Sequence, residues 1–183
     1  MFYQPGQKSP SFETRDIAGR PVGTESFRGR PWLLSFFRYS TCALCNLRIH
    51  QLIEAYPEYR RRGLEIVAVF ESTSENLRSN VGRQQVPFPL VADPEARLYD
   101  LFGVEVSEAK VRISMARDLK PQIAAAAVIG YPLVREDGGN FHRMPADFLI
   151  APDGTLAAVF YSEILGTHLP AEVIEGFLSS DVQ

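Results

Sequence analysis

The 183-residue chain contains two cysteines, three positions apart, in Cys42-Ala43-Leu44-Cys45. A bridge across so few residues closes almost no loop and adds little as a structural staple. No second pair completes a four-sulfur zinc site, and His50, His142 and His168 lie at none of the spacings of a zinc finger, so no metal is expected. Redox chemistry remains. The apolar run Trp32-Leu33-Leu34-Ser35-Phe36-Phe37 reads as a buried parallel strand, Ser40-Thr41 supplies capping chemistry, and a helix is predicted to begin around Cys42. A sulfur at a helix start meets unpaired backbone N–H groups and the positive end of the macrodipole. Its pKa is therefore expected to fall from about 8.5 toward ~7 or below. Cys45, at i+3, faces the same side, at a spacing that suits the ~5.5 Å Cα separation of a disulfide. Such a pair can cycle between dithiol and disulfide: Cys42 attacks a substrate disulfide, and Cys45 resolves the mixed disulfide. The plainer alternative, two inert core cysteines, suits a lone cysteine better than a pair at this spacing.

These residues need a strand, a turn and a helix to place them, and the surrounding pattern supplies a larger frame. Phe12 to Ile17 is predicted as a short first strand. Leu44, Leu47, Leu52, Ile53 and Tyr56 mark one apolar face of the cysteine helix, which Pro57 is expected to kink or divide. Strands are predicted over 64–70 and 88–92, with helices over 73–84 and from Asp93 to Phe102-Gly103. This β-α-β-α-β order implies a parallel core. Residues 104–143, with helical pieces near 107–119 and 122–130 and a loop through Asp137-Gly138-Gly139, read as a helical insertion. After it come a hairpin of 147–151 and 156–161 and a closing helix from Pro170 to Leu178. The reading is α/β and a single domain over 1–183, with 1–30 as an N-terminal extension and 104–143 as the insertion.

A net charge of −3 offers no field to gather nucleic acid or anionic lipid, and no apolar run approaches the ~20 residues of a membrane span. The first eight residues lack the order of a secretory signal, so a cytoplasmic protein is expected.

The stretch from Phe36 through Cys42 and Cys45 to Ile53 resembles the peroxiredoxin-like branch of the thioredoxin superfamily, the alkyl hydroperoxide reductase and thiol-specific antioxidant group. So do the lead-in Gly6-Gln7-Lys8-Ser9-Pro10-Ser11-Phe12, the later Met144-Pro145-Ala146-Asp147-Phe148-Leu149-Ile150, and His168-Leu169-Pro170. The resemblance implies a thioredoxin-like fold with a central mixed sheet flanked by helices. It also implies a cis proline at Pro145 beside the cysteines, its backbone ready to pair with an extended peptide or thiol substrate. The peroxiredoxin motif P-x-x-x-T-x-x-C, set with Cys45 as its cysteine, puts Arg38 at the proline and Cys42 at the threonine. The arginine that usually precedes the late strand is replaced by Pro145, with Arg143 two residues earlier. The groups that polarise a peroxide are thus missing or displaced, and the cysteine pair with its proline looks like a disulfide oxidoreductase.

The expected site is therefore Cys42 and Cys45, supported by Thr41, Arg38, Pro145 and Arg143. Arg38 is a candidate to stabilise the thiolate or hold an anionic substrate. His50, at i+5 from Cys45, lies off the sulfur's face and reads as structural. Glu71, at the end of the 64–70 strand, reads as a cap, a solvated residue or a proton shuttle. No organic cofactor is expected, only an external thiol reductant and a disulfide or hydroperoxide substrate, and a homodimer stays open. The alternatives are a thiol peroxidase, with Cys45 attacking, and a non-catalytic binding module or redox sensor.

Overall fold

The computed structural model describes residues 2–180. A small antiparallel pair, β1 (Glu13–Arg15) and β2 (Pro21–Gly23), leads into β3 (Trp32–Phe36), α1 (Ala43–Arg61), β4 (Glu65–Phe70), α2 (Ser74–Ser79) and β5 (Leu90–Ala92). Then come α3 (Arg97–Phe102), α4 (Glu108–Met115), α5 (Lys120–Val128), β6 (Ala146–Ile150), β7 (Leu156–Tyr161) and α6 (Ala171–Ser180). The main sheet runs β5-β4-β3-β6-β7, parallel from β5 to β3 and antiparallel through β6 and β7.

Alternation along the strands divides the core between the two faces of this sheet. Leu33, Ile66, Ala68, Phe70 and Leu149 pack on the face covered by α1 and α6. Trp32, Leu34, Phe36, Val67, Val69, Phe148 and Ile150 pack on the other, against α3 and the N-terminal segment. With both faces covered, the central strands read as continuous apolar runs, which is why 32–37 and 64–70 stand out in the sequence.

Helix α1 differs from expectation in two ways. It is one helix across Pro57, not two. Pro57 lies on the exposed side, while Tyr56 and Tyr59 on either side of it are buried, and the Tyr56 hydroxyl donates to Glu65 Oε2 at 2.7 Å. Those anchors hold the helix through the missing N–H. The buried stripe is Cys45, Ile49, Leu52, Tyr56 and Tyr59, while Leu47 is only half-buried. Each large side chain of that stripe contributes roughly 1.5–3 kcal/mol by leaving water.

The helix expected over 73–84 ends at Ser79 and gives way to a 3₁₀ turn over Val81–Gln84, because Asn80 leaves helical geometry to donate to Ser40 Oγ at 3.1 Å. The helix expected from Asp93 starts only at Arg97. Ala96 sits at φ +55°, and the Asp93 carboxylate caps the helix by accepting from the Arg97 and Leu98 N–H groups at 3.1 and 2.8 Å. Residues 104–143 do contain two helices, α4 and α5, and α5 packs on α1.

Candidate active site

Strand β3 delivers the chain to the C-terminal edge of the parallel strands, where Tyr99 Oη, beneath, donates to the carbonyl of Phe37 at 2.7 Å. The chain then turns, with Cys42 N–H on Tyr39 O at 3.1 Å, and α1 begins with Asn46 N–H on Cys42 O at 3.0 Å. Cys42 is the N-cap residue, with φ −61° and ψ 116°. Its sulfur accepts the Cys45 N–H at 3.4 Å, the role that a serine or aspartate oxygen normally fills at a helix start. Asn46 fastens the turn, its Nδ2 donating to Ser40 O at 2.8 Å and Cys42 O at 3.1 Å.

Arg38 completes the sulfur's surroundings. Its Nη1 lies 3.8 Å from Cys42 Sγ, and its Nη2 donates to the carbonyl of Phe141. The guanidinium is buried between two rings, 5.0 Å from the centre of Tyr39 and 4.9 Å from that of Phe141. Burial alone pushes the Cys42 thiol up and is the largest single influence on it. It is outweighed by the Cys45 thiol donating to the Cys42 sulfur, the Arg38 charge, the Cys45 N–H and the Arg38 hydrogen bond, which together bring Cys42 from 9.0 to about 6. Cys45 moves the opposite way. Burial, the proton it gives to Cys42 and the nearby Cys42 charge all raise it well above its ordinary range. The two sulfurs are thus pushed in opposite directions, Cys42 toward the thiolate and Cys45 toward the thiol, an asymmetry that spacing alone does not assign.

Residues 104–143 roof this site. Glu136 is buried and accepts from Ser40 N at 2.8 Å, Ser40 Oγ at 2.5 Å, Ser72 Oγ at 2.8 Å and Asn76 Nδ2 at 2.9 Å. Thr41 Oγ1 donates to Val134 O at 3.0 Å. Gly139 lets the same loop press on Tyr39, where an added Cβ would lie 3.1 Å from the ring. Between roof and helix is a cavity of about 250 Å³ bordered by Arg38, Cys42, Leu119, Ile123, Leu133, Arg135 and Phe141, among others. Cys42 borders it and Cys45 does not, although both are almost fully buried.

The other expected residues are placed as follows. Thr41 binds the roof rather than the sulfur. Arg143 does not reach the cysteines: its Nε donates to Glu71 Oε2 at 2.6 Å, and it stacks on Tyr99 at 4.6 Å, so Arg143 and Glu71 neutralise each other behind the strand end. His50 is half-exposed, 3.7 Å from Glu54. Pro145 is buried next to β6, but its peptide bond is trans, contrary to the expected cis bond, and no cis bond occurs among the described residues. The chain there runs extended and is paired on both sides. Met144 N–H donates to Glu105 O and Ser162 N–H to Pro145 O, each at 3.0 Å, and a trans bond preserves that pairing.

Sequence reading missed Glu136, Asn46 and the cavity. Glu136 meets Ser40 across 96 positions, with no local pattern to announce it. Asn46 carried a signal, standing at i+4 from Cys42 at a helix start. A buried cluster on the α1 face was also missed: Asp147 accepts from Ser35 Oγ at 2.5 Å and Leu169 N at 2.6 Å, and pairs with His168 Nδ1 at 3.0 Å. Burial pushes Asp147 up, but the His168 charge and these donors hold its carboxyl below the usual range.

Comparison with known proteins agrees with this architecture. Residues 5–159 match the model of the AhpC/TSA family. "Thiol-disulfide oxidoreductase ResA" of Bacillus thuringiensis is 26% identical over 100 residues, covering 54% of this chain and 57% of that protein. "Peroxiredoxin Q, chloroplastic" of Sedum lineare is 25% identical over 99 residues, covering 54% and 53%. The chain thus spans a little over half the length of these curated relatives. Among solved structures, peroxidoxin BcpB of Mycobacterium tuberculosis superposes with a TM-score of 0.67 over 98% of both chains at 15% identity, a likeness that speaks to the fold alone. The mixed sheet, the cysteine at the tip of α1 and a family match running through both place this chain in the AhpC/TSA family.

Proposed function

We propose that this protein is a thiol–disulfide oxidoreductase in which Cys42 attacks and Cys45 resolves. The observation that carries this reading is the asymmetry of the pair: Cys42 Sγ collects the Arg38 Nη1 and the Cys45 N–H and borders the cavity, which Cys45 does not. In the first step the Cys42 thiolate attacks one sulfur of the substrate disulfide. The substrate S–S bond breaks, and its other sulfur leaves as a thiolate with the electron pair. Cys45 then gives up its proton to the departing sulfur or to solvent and attacks the Cys42 sulfur. The second substrate thiol is released, and two electrons have passed from the dithiol to the substrate. An external thiol reductant restores the pair, and the cytoplasm, where such reductants abound, is the proposed compartment.

A peroxidase reading follows from the family, with a hydroperoxide oxidising one cysteine to a sulfenic acid that the other condenses with. It is the weaker reading. The threonine of the peroxiredoxin motif is replaced by Cys42, Arg143 is bound to Glu71, and Cys45, the peroxidatic position by alignment, is pushed toward the thiol and lies away from the cavity.

The test is trapping. Cys45→Ser incubated with a small disulfide should accumulate a mixed disulfide at Cys42, while Cys42→Ser should accumulate none and lose turnover. Hydroperoxide consumption that needs Cys45 and survives Cys42→Ser would replace this reading with the peroxidase.

A further inference from the structure

The proposed exchange leaves open what kind of disulfide reaches Cys42. Resting on that reading, we infer that the substrate is a small organic disulfide with an apolar arm and an anionic group, and not a polypeptide disulfide.

Three independent features lead there. The first is access. Cys42 is only 2% exposed, and residues 104–143 are tied down over it through Glu136 and Thr41. The approach is the cavity of about 250 Å³ between α1 and the roof. That is room for one ring with a substituent, not for a folded chain.

The second is the backbone beside the site. A peptide substrate would need a free strand edge at Pro145 to pair with. Here Pro145 O is taken by Ser162 N–H and Met144 N–H by Glu105 O, so the edge is occupied from within.

The third is the chemistry of the walls. Leu119, Ile123, Leu133 and Phe141 are apolar, and Met115 and Leu133 are exposed at the rim. Apart from the Cys42 sulfur itself, the charged side chains of the wall are two cations, Arg38 and Arg135. Arg135 lies over the Phe141 ring at 5.3 Å and is exposed at the mouth. Arg38 places its Nη1 3.8 Å from Cys42 Sγ, so its charge sits beside the sulfur at the cavity wall. Apolar walls under two guanidinium groups suit an aromatic or aliphatic thiol that carries a carboxylate.

The exchange is the one Cys42 and Cys45 carry out, with the anionic thiol leaving as its thiolate when the substrate S–S bond breaks. Its departing negative charge forms beside Arg38, where the guanidinium stabilises it.

The experiment compares four disulfides on the intact protein. They are dithiobis-nitrobenzoate (aromatic, anionic), bis-hydroxyethyl disulfide (small, neutral), cystamine (aliphatic, cationic) and insulin (polypeptide). Each rate is divided by that disulfide's rate with a free thiol, to remove its intrinsic reactivity. The expected result is a normalised kcat/KM for the anionic aromatic disulfide at least about ten-fold above that of the neutral one, and about a hundred-fold above those of cystamine and insulin. Arg135→Glu, a change at an exposed position, should cut the preference for the anionic over the cationic disulfide by about ten-fold. Leu133→Glu, also exposed, should act in the same direction. Insulin or cystamine reacting as fast as the anionic aromatic disulfide, or a preference untouched by both charge changes, would overturn the substrate assignment. If no disulfide reacts while hydroperoxide is consumed, the exchange reading itself falls, and the two failures are told apart.

Discussion

Replacing Arg38 tests the electrostatic reasoning directly. With Cys42 near 6, about nine-tenths of it is thiolate at pH 7; an unperturbed thiol at 9.0 would be about one per cent ionised. Arg38 supplies two of the four influences that lower it, its charge and its hydrogen bond, and Cys45 supplies the other two. An opposite charge this close typically shifts a pKa by about 1–3, so Arg38→Met should raise the Cys42 midpoint by about one to two pH units. At about pH 6 the ionised fraction then falls roughly five- to fifty-fold. A more basic thiolate is also a better nucleophile, by about three- to eight-fold for such a shift at a Brønsted slope of ~0.45. The net expectation is a pair of crossing curves. Against excess bis-hydroxyethyl disulfide, whose neutrality removes any binding role for the arginine, Arg38→Met should react about two- to six-fold slower near pH 6 and about three- to eight-fold faster above pH 9. Arg38→Lys, which keeps a charge without the planar fork, should fall between the two. Stopped-flow thiolate absorbance gives the midpoint independently. A midpoint that stays near 6 in Arg38→Met, or curves that never cross, would refute the assignment of the thiolate to Arg38.

Other consequences concern the supports of the site. Glu136→Ala removes the acceptor of four hydrogen bonds beneath the roof and should lower stability by about 1–3 kcal/mol in urea unfolding, with faster proteolysis and hydrogen exchange between residues 130 and 142. Asp147→Asn leaves His168 without its carboxylate and should cost about 3 kcal/mol, measurable as a drop in Tm at unchanged thiol reactivity. The reduced protein should also show a pH-dependent stability that Cys42→Ser lacks. The folded thiol titrates near 6 and the unfolded one near 9.0, so the stabilisation is complete above about pH 9, declines through the interval and is gone below about pH 6.

How much of this was legible beforehand follows from where each feature is encoded. The strands over 32–37 and 64–70, the late hairpin and the cysteine helix are local patterns of apolar residues and turns, and all appear within a few residues of expectation. Arg38 also came from local spacing. Features set by distant contacts were invisible. Asn80 ends α2 early because Ser40 draws its side chain, the helix continues through Pro57 because tyrosines on both sides are anchored, and Pro145 is trans because Glu105 and Ser162 hold its neighbourhood extended. Residues 104–143, expected as a helical insertion, also build one wall of the cavity, and nothing in their own composition says that Glu136 lands on Ser40.

The division of roles between the two sulfurs is tested most directly by alkylating the reduced wild-type protein across pH and counting label on each cysteine by mass spectrometry. Cys42 should take the label alone, with a midpoint near 6, while Cys45 stays unlabelled until well above pH 9 or until Cys42 is blocked. Label appearing first on Cys45, or on both cysteines together with a midpoint near 9, would contradict the account.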